Sequence, residues 1–184
     1  MPRVLVPLAQ GCEELEAVTI IDLLRRAGIE VVTAGLDAAP VQASRGVVLM
    51  PDTTLDQVLE QDFDMIVLPG GLPGATHLDQ DARVHRLLKL QAEQGRWNAA
   101  ICAAPKVLGN AGLLDGRQAT SYPGALEPVQ FPTVRLVEQP VVVDGKVVTS
   151  RGPGTAMDFA LQLVQLLCGR DTRVDVEAAL MRPA

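Results

Sequence analysis

Few residues in this 184-residue chain can do covalent or acid–base chemistry: three cysteines, two histidines and a set of glutamates near the amino end. Cys102 has the most informative surroundings. It stands in Ala99-Ala100-Ile101-Cys102-Ala103-Ala104-Pro105, where a buried-strand pattern gives way at once to a helical one. A side chain at such a junction sits on a sharp turn above the sheet edge. This is the arrangement of a nucleophile elbow, here with alanines where glycines usually flank the turn. The adjoining helix N-terminus is expected to favour thiolate and lower the thiol pKa. A buried structural cysteine is the competing explanation. The strand-end position, the small neighbours and the following helix favour a reactive thiol. Cys168 ends an apolar helical stripe before Gly169 and is expected to pack. Cys12 falls in the first strand-to-helix loop, where it is expected to be exposed and oxidisable, although no motif requires it.

The carboxylates cluster in Gly11-Cys12-Glu13-Glu14-Leu15-Glu16. Acidic residues suit a helix N-terminus, so Glu13 and Glu14 are accounted for by dipole complementarity on a solvated surface. Glu16 lies deeper in the helix and is expected to turn toward the carboxyl edge of the first strand, facing Cys102. A carboxyl opposite a thiolate in an apolar pocket should keep its proton, donate a hydrogen bond to sulfur and be able to shuttle that proton. In Val67-Leu68-Pro69-Gly70-Gly71, two glycines let the backbone approach a ligand closely. The N–H groups of Gly71 and Ala103 are candidates for an oxyanion hole, although Gly-Gly alone also fits a plain turn. GGLPG lacks the spacing of a dinucleotide fingerprint. Neither His77 nor His85 follows Cys102, so no Cys-His pair of sequence neighbours exists. His85 is expected on a helix surface, and His77 lies nearer the expected site.

These groups need a scaffold. Arg3 to Leu8, Ile29 to Ala34, Asp64 to Leu68 and Asn98 to Ile101 read as buried strands. Leu15, Val18, Ile21 and Leu24 recur at helical spacing over Glu14 to Ala27, with Gly28 as the stop. Val41 to Met50 looks like a small hairpin. Val84, Leu87, Leu88 and Gln91 mark a helix ending near Gly95, and Ala104 to Asn110 a short one. Strands are expected near Ala119 and over Val134 to Val137, and Asp144-Gly145 is the turn pair of a tight hairpin. Thr155-Ala156-Met157-Asp158 reads as a capping box opening a helix whose buried face runs from Ala156 to Leu167. The alternation predicts one α/β domain over 1–184, a doubly wound, mainly parallel sheet sandwiched by helices. Sites in such sheets lie beyond the strands' carboxyl ends. That selects residues 10–16, 69–74 and 102–105.

Composition narrows the function. Lys+Arg number 16 and Asp+Glu 22, for a net charge of −6, and only five residues are aromatic. Such a chain has neither the cations for a phosphate backbone nor the stacking faces for bases. No apolar run approaches a membrane span, and the start carries one Arg and a short apolar run before turning acidic, so no export signal is expected. An odd cysteine count without a CxxC pair or zinc spacing predicts no metal and a reducing cytoplasm. The first helix carries apolar residues on more than one face (Val18, Ile20, Ile21, Leu23 and Leu24), which predicts a two-fold homodimer through it.

Taken together, GCEELEAV, VLPGG, AICAAP and TSRGPGTAMDFAL resemble the ThiJ/PfpI superfamily, and within it the Parkinson-disease deglycase branch (DJ-one) and its bacterial YajL-like members. The resemblance runs from about Val4 to Gly169. It implies a flavodoxin-like fold, a homodimer and no cofactor. It also implies Cys102 as the oxidisable nucleophile, Glu16 as its protonated partner, and Gly71 and Ala103 as backbone donors. Glu13, Gly70, Tyr122, Arg26, Arg45, Gly152 and Pro153 are implied to line or complete the substrate pocket, partly from the second subunit. The implied activities are glyoxalase III-type conversion of methylglyoxal, deglycation of early glycation adducts, and oxidative-stress protection. Two departures matter. The intracellular-protease branch has His after the nucleophile where this chain has Ala103, which argues against a peptidase. The human-type member has His where this chain has Tyr122, which leaves proton transfer mainly to Glu16. The expectation is a cofactor-free enzyme acting on small reactive carbonyls. The alternative is a redox-sensing chaperone that uses the same cysteine without turnover.

Overall fold

The computed structural model describes residues 1–182. Apolar runs too short and too continuous for a helix form the strands. β1 (Arg3–Leu8), β2 (Glu30–Gly35), β6 (Met65–Leu68) and β7 (Trp97–Ile101) are buried along most of their length, as expected of strands covered on both faces. With β5 (Thr53–Thr54), β10 (Val141–Asp144) and β11 (Val147–Ser150) they build a seven-stranded sheet in the order β10-β11-β7-β6-β1-β2-β5. All pairings are parallel except the β10–β11 hairpin, which turns at Asp144-Gly145 as its sequence predicts. Two small pairs stand apart: β3 (Val41–Gln42) with β4 (Val48–Leu49), and β8 (Gln118–Ala119) with β9 (Arg135–Leu136).

Alternate residues of the strands feed two cores. Leu5, Ile66, Leu68 and Ala100 face α2 (Gly74–Gln80), α3 (Ala82–Glu93) and α4 (Pro105–Asn110) through Leu78, Leu88 and Leu108. Val4, Val6, Val67 and Ile101 face α1 (Glu14–Arg26) and α5 (Ala156–Cys168) through Ile20, Leu24, Phe159 and Leu163. The doubly wound, flavodoxin-like expectation is met. After β1 the chain lays β2 on one side and later β6 on the other, so strand order reverses between β1 and β6. That switch point opens a crevice at the strands' carboxyl ends.

Some local expectations fail. α2 and α6 (Arg170–Ala179) are not predicted. The first has only seven residues, and the second is largely polar and packs on α5 by a few side chains, Val176 among them. The capping box at Thr155 does not form. Its hydroxyl oxygen instead accepts from Gly152 N–H at 3.1 Å and pairs with the Ser150 hydroxyl at 2.7 Å, which fixes the corner after β11. On α1, Ile20, Leu23 and Leu24 are buried, whereas Leu15 and Val18 are about half exposed. No helix is long and apolar enough to cross a membrane among the described residues.

Candidate active site

Cys102 follows β7 directly, at φ 65, a left-handed conformation that costs a non-glycine residue roughly 1–3 kcal/mol. Two backbone bonds hold it there. Cys102 N–H donates to Ser150 O at 3.0 Å, and Tyr122 N–H donates to Cys102 O at 2.8 Å. The elbow is therefore clamped between the end of β11 and the loop after β8. α4 begins at Pro105, three residues beyond the elbow.

Glu16 reaches the same place from α1, entirely removed from solvent. Its Oε2 accepts the Gly70 N–H at 2.8 Å. Its Oε1 is buried with no hydrogen-bond partner among the described residues. The Cys102 thiol lies against the carboxyl and acts on its ionisation. Burial raises the Glu16 pKa to about 7, against the pull of Cys102 and the Gly70 N–H. Cys102 is pushed up to about 12, by burial first and then by the Glu16 charge and its hydrogen bond, while the Gly71 and Ala103 N–H groups pull down. Next to an ionised Glu16, therefore, the thiol is raised, contrary to the lowering expected from a helix N-terminus. The six-residue α4 supplies too little dipole to reverse this. The upward push depends on the Glu16 charge. Moving the proton from sulfur to Glu16 leaves the pair's net charge unchanged, removes that push and turns Glu16 into a donor.

The two glycines have different jobs. A Cβ on Gly70 would sit 2.5 Å from Cys102 Cβ and 2.7 Å from Glu16 Oε2, so Gly70 permits contact between acid and thiol. Any side chain at this position would come between the two groups. Gly71 has φ 93, and a Cβ there would lie 2.4 Å from Glu13 N. This tight approach aims its N–H at the sulfur together with that of Ala103.

Glu13 caps α1, accepting from Leu15 N–H at 3.4 Å, and its own N–H donates to Gly70 O at 2.9 Å. It also accepts from the Ser44 hydroxyl at 2.8 Å. Glu14 is buried, not the solvated residue expected. Its Oε1 accepts from Arg45 N–H at 2.8 Å and its Oε2 from the Ser44 hydroxyl at 3.1 Å. Burial disfavours its charge, but hydrogen bonds from its own N–H, Val47, Ser44 and Arg45 outweigh that and hold it below the ordinary carboxylate range. Cys12, expected to be exposed, is fully buried, and burial pushes its thiol up to about 11.

Tyr122 stands beside the elbow through its backbone, and a Cβ on Gly152 would meet its ring at 3.4 Å. Pro153 opens the turn that leads into α5. Arg26 sits ten residues beyond Glu16 on α1, roughly 15 Å along the axis, and pairs with Asp22 at 2.6 Å. Within one chain it cannot reach Cys102. The exposed Arg45 touches the site region through its backbone. His77 bonds Gln10 O at 3.0 Å, and His85 bonds Asp79 on α2. Neither belongs to the Cys102–Glu16 pair. Sequence reading overlooked Ser150, whose carbonyl holds the elbow. Only the adjacency of β7 and β11 would have shown it.

A doubly wound α/β sheet with a left-handed cysteine elbow and a buried carboxylic acid over its switch point defines a flavodoxin-like protein with a cysteine-centred site. More particularly, the chain belongs to the DJ-1/PfpI family, whose model matches residues 2–166. It is 44% identical over 184 residues to Protein DJ-1 homolog B of Arabidopsis thaliana, covering 98% of this chain and 42% of that one. The chain thus spans less than half the length of that relative. It is 36% identical over 160 residues to the glutathione-independent glyoxalase DJR-1.2 of Caenorhabditis elegans, covering 87% of this chain and 85% of that protein. The crystal structure of Drosophila melanogaster DJ-1beta superposes with a TM-score of 0.94 at 42% identity, covering 100% of this chain and 99% of that one.

Proposed function

We propose that the protein is a cofactor-independent glyoxalase III- and deglycase-type enzyme acting on methylglyoxal and early glycation adducts in the cytoplasm, of the YajL-like kind. One observation carries the reading. A buried carboxyl that lies against the Cys102 thiol has one oxygen tied to Gly70 N–H and its other, Oε1, without a hydrogen-bond partner among the described residues. That is the placement a proton shuttle needs. The family relationship to a glyoxalase adds support.

The chemistry follows from the pair. Cys102 passes its proton to Glu16 and attacks the aldehyde carbon, forming a C–S bond. The oxyanion accepts from Gly71 and Ala103 N–H and takes the Glu16 proton to give a hemithioacetal. The Glu16 carboxylate next removes the proton from the former aldehyde carbon to give an enediolate, the hydroxyl proton on that carbon passes to the neighbouring oxygen, and Glu16 returns its proton to the neighbouring carbon. The product is a 2-hydroxyacyl thioester. Water cleaves it, releasing lactate and restoring the thiol. The sum is methylglyoxal plus water to lactate, without an external oxidant or reductant.

The protein acts as a homodimer in this reading, through the exposed Leu15 and Val18 of α1. A second subunit is the route by which an Arg26 would reach a neighbouring pocket. The test is methylglyoxal turnover by protein whose Cys102 is verified as reduced by mass spectrometry. Lactate formation, lost in Cys102→Ser and reduced about 10²–10⁴-fold in Glu16→Gln while Cys102 still accepts iodoacetamide, is the expected result. No turnover by the reduced protein overturns the enzymatic reading in favour of a redox-sensing chaperone. Full turnover by Glu16→Gln removes the role given to that residue.

A further inference from the structure

A second cleft adjoins the Cys102 elbow. Its volume is about 230 Å³, and its walls include the loop after β8 and Arg151 at the end of β11. Those are the two segments whose backbone clamps Cys102, through Tyr122 N–H and Ser150 O. The cleft is therefore built onto the elbow itself. Apolar side chains of Tyr122, Leu126 and Val137 share its walls with the polar Thr120, Ser121 and Glu138.

Arg151 is the anomaly in this cleft. Only about a third of its side chain is exposed, yet among the described residues no acceptor lies within hydrogen-bonding distance of its guanidinium. Its one ionic neighbour is Glu138 Oε2 at 3.8 Å, on a side chain that is 90% exposed. The other arginines buried to this degree behave differently. Arg83, for example, donates to Asp81, Asp56 and Leu36 O at 2.6–3.0 Å. A guanidinium has five donors and is costly to desolvate without acceptors. A guanidinium that lines a cleft with no protein acceptor among the described residues is matched by a planar, singly charged acceptor that can take two of its N–H groups at once. No lysine shares the cleft to favour a dianion.

We propose that this cleft is a carboxylate subsite with Arg151 as its binding group. On the functional reading above, the substrates it selects are reactive carbonyls carrying a carboxylate on an apolar body, as adducts of amino acids do. Methylglyoxal itself, which has no carboxylate, makes no use of this cleft. Glu138 is the carboxylate that pairs loosely with Arg151 and yields to the ligand.

The binding arm needs no catalysis. Hippurate (N-benzoylglycine), its uncharged amide and inorganic phosphate are titrated into the full chain by NMR. Hippurate is expected to shift Tyr122 and Arg151 signals, and to bind at least about tenfold tighter than either comparison probe. Arg151→Met removes that preference and Arg151→Lys keeps part of it. Glu138→Gln, at an exposed position, tightens hippurate binding several-fold by removing the competing carboxylate, a gain that a merely structural role for Arg151 does not produce. Equal binding of hippurate and its amide, phosphate binding as tightly as hippurate, or unchanged affinity in a folded Arg151→Met protein would each overturn the subsite. The turnover arm compares kcat/KM for 4-carboxyphenylglyoxal and phenylglyoxal. A preference for the carboxylate that collapses in Arg151→Met is expected, and turnover without such a preference overturns the substrate class. If neither glyoxal is converted while methylglyoxal is, the substrate class is overturned; if methylglyoxal is not converted either, the enzymatic reading fails, while the hippurate titration still decides the subsite.

Discussion

Gly70 N–H donates to Glu16 Oε2 at 2.8 Å across 54 positions of sequence, and a Cβ on Gly70 would strike both that oxygen and Cys102. One residue therefore fixes the acid and makes room for the thiol. Gly70→Ala is expected to push the pair apart and lower methylglyoxal turnover by at least about 10², the lower range of a general acid–base contribution. Near-ultraviolet circular dichroism should stay close to wild type. Wild-type turnover in the variant would show that the tight fit at Gly70 has no catalytic consequence.

Glu16 also writes a pH dependence into stability. Its folded pKa, raised by burial to about 7, exceeds the ordinary glutamate value, so the native state binds more protons than the unfolded chain between the two. Stability is therefore greatest below the unfolded pKa and falls as pH rises toward about 7, by roughly 3 kcal/mol for a shift of this size. Denaturant unfolding of Glu16→Gln across this range should lack that decline. An equal slope in both proteins would assign the decline to other groups.

Glu14 is expected to order the turn between β3 and β4, because its carboxylate accepts from Arg45 N–H and Val47 N–H. In Glu14→Ala the amide protons of Arg45 and Val47 should exchange at least roughly tenfold faster, with those of β1 unchanged. Undiminished protection at both amides would show that the turn holds without the carboxylate.

The exposed side of α1 tests assembly. Val18 is 47% exposed in one chain, so Val18→Glu adds a charge where the proposed dimer buries an apolar face. Sedimentation should show a dimer for wild type at micromolar concentration and a monomer for the variant. A wild-type monomer would remove the dimer and, with it, any route for Arg26 into a neighbour's site.

The sequence alone determined the layered α/β architecture, because buried parallel strands must be continuously apolar and their covering helices must repeat at helical spacing. It also pointed to Cys102, Glu16 and Gly70-Gly71, since each follows a strand whose carboxyl end a doubly wound sheet leaves open. The short or polar elements were not legible. α2 has seven residues and β5 two, and α6 is largely polar. The surroundings of individual side chains depended on contacts between distant segments. Glu14 looks like a solvated acid until the Ser44–Val47 turn folds over it. Cys12 looks exposed until α2 and the Gly70-Gly71 turn cover its loop. The Cys102 pKa depends on burial and on the Glu16 charge more than on the helix beside it. Arg151 became notable only when β11 paired with β7 and carried it to the elbow. Periodicity records which face of an element is apolar. Which polar groups meet across 30 or 50 residues, and what water they exclude, is decided by tertiary packing.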